Sequence, residues 1–196
     1  MLARLLFESN QLDAAEEAIS RALDLSSGKG NQFQVSECHH LLGLIYQSKG
    51  ESEAAINRLE TALGIASNSN SRNLQFWSRY SLARLFSNQG RFDDAYTHIE
   101  HSKSYAVNDT HKLGLAMELH AEILYWHDRF GEARSEVLCA AETFEKLGSA
   151  RELKWCRDLL RLIEEEMNDP VANRESDSDG ESLGKALFLH LFTLHS

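Results

Sequence analysis

Proline is almost missing from this chain: there is one in 196 residues. Inside a helix proline removes a backbone hydrogen bond and clashes with the preceding turn. Its scarcity permits a chain that is helical almost throughout, without proving one. Long apolar runs are missing too. No stretch approaches the ~20 residues that a membrane-spanning helix needs, and Met1-Leu2-Ala3-Arg4 leads straight into an amphipathic pattern. Positive charge is sparse and scattered, with 20 Lys and Arg against 30 Asp and Glu and a formal charge of −10. Phosphate backbones and anionic lipid surfaces are gripped by clustered basic residues, so nucleic acid and membrane are both excluded as expected partners. The three cysteines, Cys38, Cys139 and Cys156, lie far apart among apolar helical residues. Neither a disulfide framework nor a Cys-x-x-Cys metal site has that spacing, and they read as core thiols of a reducing, cytoplasmic compartment.

What is present is a repeated skeleton. Leu42-Gly43-Leu44-Ile45-Tyr46 is followed by Ala55, Leu59 and Ala62, and related residues recur at near-constant distance. Ala15 to Ala55 is 40 residues, Ala55 to Ala95 is 40, and Ala95 to Ala133 is 38. Gly43, Tyr46, Ala55, Ala62, Ala83, Ala95, Ala121 and Ala133 are the structural positions of this skeleton. Most of them are small, as two helices crossing closely require, because a larger side chain would wedge them apart.

In chain order, residues 1–26 form a partial unit in which Ala3 takes the place of Gly43. Leu2, Leu5 and Leu6 give it no polar outer face of the kind terminal repeats carry. The expectation is therefore a fragment of a longer protein. Full units follow over about 31–67, 71–107 and 111–147, each predicted as two helices. In the clearest, Val35, Cys38, Leu42 and Ile45 share one helical face over 32–48. Gly50 ends that helix, Ser52 is the expected cap of the next, and Ser67-Asn68-Ser69-Asn70-Ser71 is the expected turn. A closing helix is predicted over 150–167, with Leu153, Cys156, Leu159, Leu160 and Ile163 inward. Its last turn, Glu164-Glu165-Glu166, opposes the helix dipole and is expected to fray. Residues 168–182 read as an acidic disordered linker, and 183–196 as a short apolar tail, with Leu183, Leu187, Leu191 and Leu194 near helical spacing.

Leu42-Gly43-x-x-Tyr46, Gly50, Ala55, Leu59 and Ala62 resemble the tetratricopeptide repeat. Three departures stand out: the period exceeds the usual ~34 residues, His39 stands where an aromatic is expected, and the closing proline is absent. The longer period is similar to kinesin light chain arrays and to arrays that follow the nucleotide-binding modules of signalling ATPases. The resemblance implies an all-α, right-handed α-solenoid of antiparallel helix hairpins. It also implies a non-catalytic protein-interaction module that binds a peptide or partner protein in its concave groove. By family position that groove is lined by Glu37, His40, Leu44 and Gln47, then Trp77, Tyr80, Arg84 and Asn88, then Glu118, Glu122 and Tyr125. The Lys, Asn and Arg clamp of chaperone-tail binders is not reproduced, and Glu118 and Glu122 would repel a carboxylate. An aromatic, acidic groove suits a partner with apolar and basic residues. A second reading keeps the fold and makes the chain the sensor or scaffold tail of a larger signalling NTPase.

Chemistry elsewhere in the sequence is thin. His98-x-x-His101, with Glu100 or Asp94 nearby, shares a helical face, yet zinc needs three or four ligands and no further pair matches. Exposed surface histidines are the expectation there, and a metal-binding helical protein is the weakest reading. His39-His40 and His120 with His127 make no better set. Glu175-Ser-Asp177-Ser-Asp179-Gly180 starts like a calcium loop but has Ala186 at the chelating twelfth position. Gly180-x-x-x-Gly184-Lys185 is one residue short of a phosphate loop. Ser176 and Ser178 sit in acidic context as candidate phosphorylation sites, against a plain solvated spacer. Trp126 is expected to fill space between repeats. No motif calls for a cofactor.

Overall fold

The computed structural model describes residues 2–168. The linker and tail expected beyond Asn168 lie outside the described residues. Within them the chain forms nine helices and no strand: α1 (Leu2–Glu8), α2 (Leu12–Gly28), α3 (Gln32–Ser48), α4 (Ser52–Asn68), α5 (Arg72–Asn88), α6 (Phe92–Tyr105), α7 (Thr110–Trp126), α8 (Phe130–Leu147) and α9 (Ala150–Asn168). From α1 to α6 each helix packs against the next, and α8 packs against α9, which makes this an all-α repeat fold. Two compact units are present, and the boundary between Leu119 and His120 falls inside α7.

Helix length is set by a stop signal that recurs every half repeat. Positive φ is found at Asn10, Gly30, Gly50, Asn70, Gly90, Asp128 and Gly148. At each, the following residue's N–H reaches back to a carbonyl in the last helical turn, as in Glu51 N to Tyr46 O (2.9 Å) and Ser71 N to Ala66 O (2.9 Å). This is the Schellman closure, which needs a left-handed residue just past the helix. Glycine adopts that conformation freely, and Asn and Asp tolerate it better than other side chains. The one irregular interval is α6, at 14 residues against 17 for α5 and α7. There the chain turns without a left-handed residue, and Asp109 caps α7 by accepting from the Lys112 N–H at 3.1 Å. The shorter helix is why the last interval is 38 residues and not 40.

In the first unit the hairpin crossing is built on vanishing side chains. Ala15, Ala55, Ala62, Ala83 and Ala95 are all fully buried, and Gly43 lies against Leu59 and Ala55. A Cβ on Gly43 would fall 2.6 Å from Leu59 Cγ, 2.8 Å from Leu59 Cδ2 and 3.3 Å from the Ala55 carbonyl oxygen. Two crossings carry a buried hydroxyl: Ser36 donates to the Ala62 carbonyl at 2.8 Å and Ser102 to the Phe76 carbonyl at 3.2 Å. Each bond removes the desolvation cost of a polar group in the contact.

In the second unit Ala121 and Ala133, at the equivalent sequence positions, are both fully buried. Cys156, Leu159 and Ile163 of α9 are buried in the same core as Val137, Ala140 and Phe144 of α8. His120 takes the place of Leu42 and Leu82. It is buried with Nδ1 2.9 Å from Glu136 Oε1, so the polar ring has a partner within the unit.

Several expectations need correction. Ser52 is the first helical residue; Glu51 occupies the cap position and makes no side-chain cap bond. The turn expected over 67–71 is shorter, because α4 continues to Asn68 before the left-handed Asn70 stops it. The triple-glutamate end of α9 remains helical. Glu164 pairs with Arg134 at 3.5 Å and Glu165 with Arg161 at 2.9 Å, offsetting the dipole penalty. Cys139 is exposed, unlike Cys38 and Cys156.

Replacing Gly43 tests the crossing. Alanine gains about 1 kcal/mol of helix propensity but meets overpacking of about 1–3 kcal/mol. Valine has no comparable propensity gain and a larger clash. Gly43→Ala is expected to melt a few degrees low, and Gly43→Val roughly 5–10 °C low at ~2–4 °C per kcal/mol for this chain length. Wild-type melting of Gly43→Val by circular dichroism would contradict the close approach.

Candidate partner-binding face

In the first unit α3 and α5, the first helices of successive hairpins, touch directly. Their residues away from the hairpin partners hold most of the expected groove. Glu37, His40, Leu44, Gln47, Trp77, Tyr80 and Arg84 are half-buried, and Asn88 is exposed. Glu118, on the first-unit part of α7, is half-buried as well.

Trp77 and Tyr80 form the best-defined part of this face. Their rings are perpendicular, with centroids 5.9 Å apart. Both rest on Phe76, which is fully buried: Trp77 meets it edge-on at 4.9 Å and Tyr80 stacks at 5.9 Å. The Lys112 ammonium lies 5.8 Å from the Phe76 centroid, within cation–π range. A partly exposed aromatic pair braced on a buried ring is held in place before any partner arrives, so little entropy is lost when it is covered. Phe76 was missed as a functional support. Its signal was its spacing, one residue before Trp77 and four before Tyr80, which puts all three within one helical turn.

His40 joins the two helices. Its Nε2 lies 3.0 Å from Ser81 Oγ. Burial is the main reason its imidazole is pushed down to about 4, partly opposed by a hydrogen bond to the Trp77 backbone. It thus serves as an inter-repeat tie beside the aromatic pair.

Glu122 and Tyr125 depart from expectation. Glu122 is 6% exposed and Tyr125 1% exposed, so neither offers a surface to a partner. Tyr125 belongs to the core of the second unit, where its ring meets Trp126 at 5.6 Å and Phe130 at 5.7 Å. Burial, then the charge of Glu166 and a hydrogen bond to it, push the phenol well above its usual range. His98 also differs from an exposed surface histidine. It is half-buried and tilted against Phe86 at 5.4 Å, and burial pushes it down to about 4. Among the described residues no group of three or more His, Cys, Asp or Glu is placed to hold a metal ion. None of their helices is long and apolar enough to cross a membrane.

A second opening lies at the start of the first unit. A cavity of about 640 Å³ is bordered by Leu5 and Glu8 of α1, Ala22 and Leu25 of α2, and Glu37 and Leu41 of α3. Over α4 the matching space is filled by the first turns of α3, where Ser36 reaches Ala62. The seven residues of α1 reach along only part of α2.

At its C-terminal end α3 is anchored by charge. Lys49 Nζ lies 2.6 Å from both Asp13 Oδ1 and Glu16 Oε2, and Tyr46 donates to Glu16 Oε1 at 2.8 Å. The lysine hydrogen bonds hold both carboxyls below their ordinary values, and the two carboxylates hold the ammonium above its own. Stability from the depressed carboxyls is present above the ordinary carboxylate range and is lost as they protonate in acid. Lys49→Met is expected to lower the melting temperature at neutral pH by a few degrees in low salt and by less in 1 M salt, because salt screens exposed charges. An equal melting temperature in low salt would show that the network contributes nothing.

Residues 1–68 match the family model for the tetratricopeptide repeat. No curated protein sequence matches the chain. Among solved structures, BtubC (BKLC) from P. vanneervenii is similar at a TM-score of 0.66 and 16% identity, over 85% of this chain and 78% of that one. A point variant of a putative kinesin light chain with nearly identical TPR-like repeats, from Podosopora anserina, is similar at 0.61 and 15% identity, over 85% of this chain and 93% of that one. At such identities the likeness shows the fold. Taken with the hairpins, the small-residue crossings and the half-repeat stop signals, it makes this chain an all-α repeat protein, of which residues 1–68 match the tetratricopeptide model.

Proposed function

We propose that the chain is a non-catalytic interaction module and that it binds an extended peptide segment of a partner protein along the α3–α5 face of its first unit. The observation that carries this reading is the Trp77–Tyr80 pair, partly exposed and braced from beneath by Phe76. Aromatic side chains with a rigid support are the usual energetic anchors of an interface. Around them Leu44 supplies apolar surface, Gln47, Arg84 and Asn88 supply hydrogen-bonding groups, and Glu37 and Glu118 supply negative charge.

The chain's formal charge of −10 favours a partner of opposite sign. Long-range attraction would speed its encounter with a basic segment. An apolar side chain would then cover the aromatic pair while a Lys or Arg lies toward Glu37 or Glu118. Three free thiols, one of them exposed, fit a reducing cytoplasmic setting.

Selection from a displayed library of random peptides on the full chain tests this. The selected peptides are expected to combine apolar and basic residues. Trp77→Ala and Tyr80→Ala should each weaken their binding by roughly tenfold or more, the loss typical of an anchor residue. The variants' circular dichroism and melting should stay close to wild type. Full-strength binding by a folded Trp77→Ala, Tyr80→Ala double variant would place the site elsewhere.

A further inference from the structure

Three histidines of the first unit share an arrangement that the hairpin crossings do not require. Each is half-buried, which disfavours its charged form, and the positive charge of an arginine on another helix adds to that. For His39 of α3 that arginine is Arg58 of α4, for His40 of α3 it is Arg4 of α1, and for His98 of α6 it is Arg79 of α5. In the α3–α4 hairpin the histidine is on the first helix and the arginine on the second. In the α5–α6 hairpin the two residue types have exchanged sides.

The surroundings suit neutral rings. His39 Nδ1 and His98 Nδ1 are buried with no hydrogen-bond partner, and so is Arg79 Nε. An imidazolium carries a proton on both nitrogens and needs an acceptor for each. The His40 ring lies against Ser81 Oγ, and its burial outweighs a hydrogen bond to the Trp77 backbone that favours the charged form. His98 lies against Phe86, and the Arg91 guanidinium is 4.2 Å from the centroid of the same ring. The remaining charged or titratable groups facing His98 are Asp94 and His101 of its own helix. Asp94 is already paired with Arg91 at 2.7 Å. On protonation two of the rings would therefore hold a buried N–H without an acceptor.

We propose that the first unit is an acid-sensitive stack, in which protonation of His39, His40 and His98 sets like charges across the α3–α4, α1–α3 and α5–α6 contacts and loosens those helices. The direction follows from linkage. Burial holds all three below the ordinary histidine value of 6.5, His40 and His98 at about 4. The unfolded chain then binds more protons than the folded one in this window. Stability is intact above about pH 6.5 and is lost as pH falls from there toward 4. Because His40 ties α3 to α5 beside Trp77 and Tyr80, the loosening reaches the proposed peptide face. That consequence rests on the functional reading above; the loosening itself does not.

The test uses the full chain without any peptide. Melting temperature is measured from pH 7.5 to 5.0 for wild type, for the triple variant His39→Gln, His40→Gln, His98→Gln, and for Arg58→Gln, Arg79→Gln. Wild type is expected to fall by roughly 5 °C or more across this range, and the triple variant by less than half as much. The arginine variant, which keeps the histidines but removes two cations that oppose their protonation, should fall by less than wild type over the same range. Hydrogen exchange should show the acid-induced loss of protection in α3–α6. Imidazole NMR titration of wild type decides the matter if the triple variant fails to fold: His40 and His98 should titrate below pH 5. Titration of both near 6.5, or an equal acid fall in wild type and a folded triple variant, would overturn the proposal.

Discussion

The close approach of two helices at a position with no side chain is the contact on which the rest of the first unit depends. Gly43 and Ala55 bring α3 and α4 so near that one added methyl group would overlap Leu59. Ala83 and Ala95 repeat the same economy with alanine, and Ala121 and Ala133 are likewise fully buried in the second unit. Once the crossing point is fixed, each helix can differ from its neighbours only in which side chains it turns outward. The recurring left-handed stop completes the constraint by giving α2 to α5 the same length of 17 residues. Crossing and stop together convert a loose 40-residue periodicity into regular hairpins.

Polar groups buried by this arrangement are managed unevenly, and the unevenness has consequences. Ser36 and Ser102 donate to backbone carbonyls of the facing helix, so their hydroxyls stabilise the hairpins in a neutral way that no pH change disturbs. His120 is given Glu136. His39 and His98 are given arginines instead, and their Nδ1 atoms have no acceptor. An array could bury apolar residues at those positions at no such cost. The first unit therefore carries an internal liability toward acid at the very contacts that hold α3 to α6 together.

The architecture was legible in the sequence because it rests on residues whose size alone is informative. Gly43 and the alanines have few reasons to recur at 40-residue spacing other than a crossing. Surface assignment was less legible for a physical reason: a helix in an array is packed on more than one side, and periodicity does not say which polar face meets solvent and which meets another helix. Tyr125 shows the problem. It occupies the last turn of α7, where Phe130 at the start of α8 and Glu166 near the end of α9 close over it. Nothing local to residue 125 announces Glu166. His98 differs likewise, because Phe86, which lies against it, is on the preceding helix. Trp77 and Tyr80 are partly exposed over Phe76, which is on the same helix and readable from spacing.

If the crossings and stops fix the hairpins, binding specificity must reside in residues the repeat pattern leaves free, and in the first unit these centre on Trp77 and Tyr80. The most direct measurement is a hydrogen-exchange footprint of the full chain with and without a saturating library-selected peptide. Added protection should concentrate on α3 and α5, strongest in the turns that carry His40, Trp77, Tyr80 and Arg84, with α4 and α6 little changed. A footprint confined to α4 and α6, or to the cavity bordered by α1 and α2, would contradict the account.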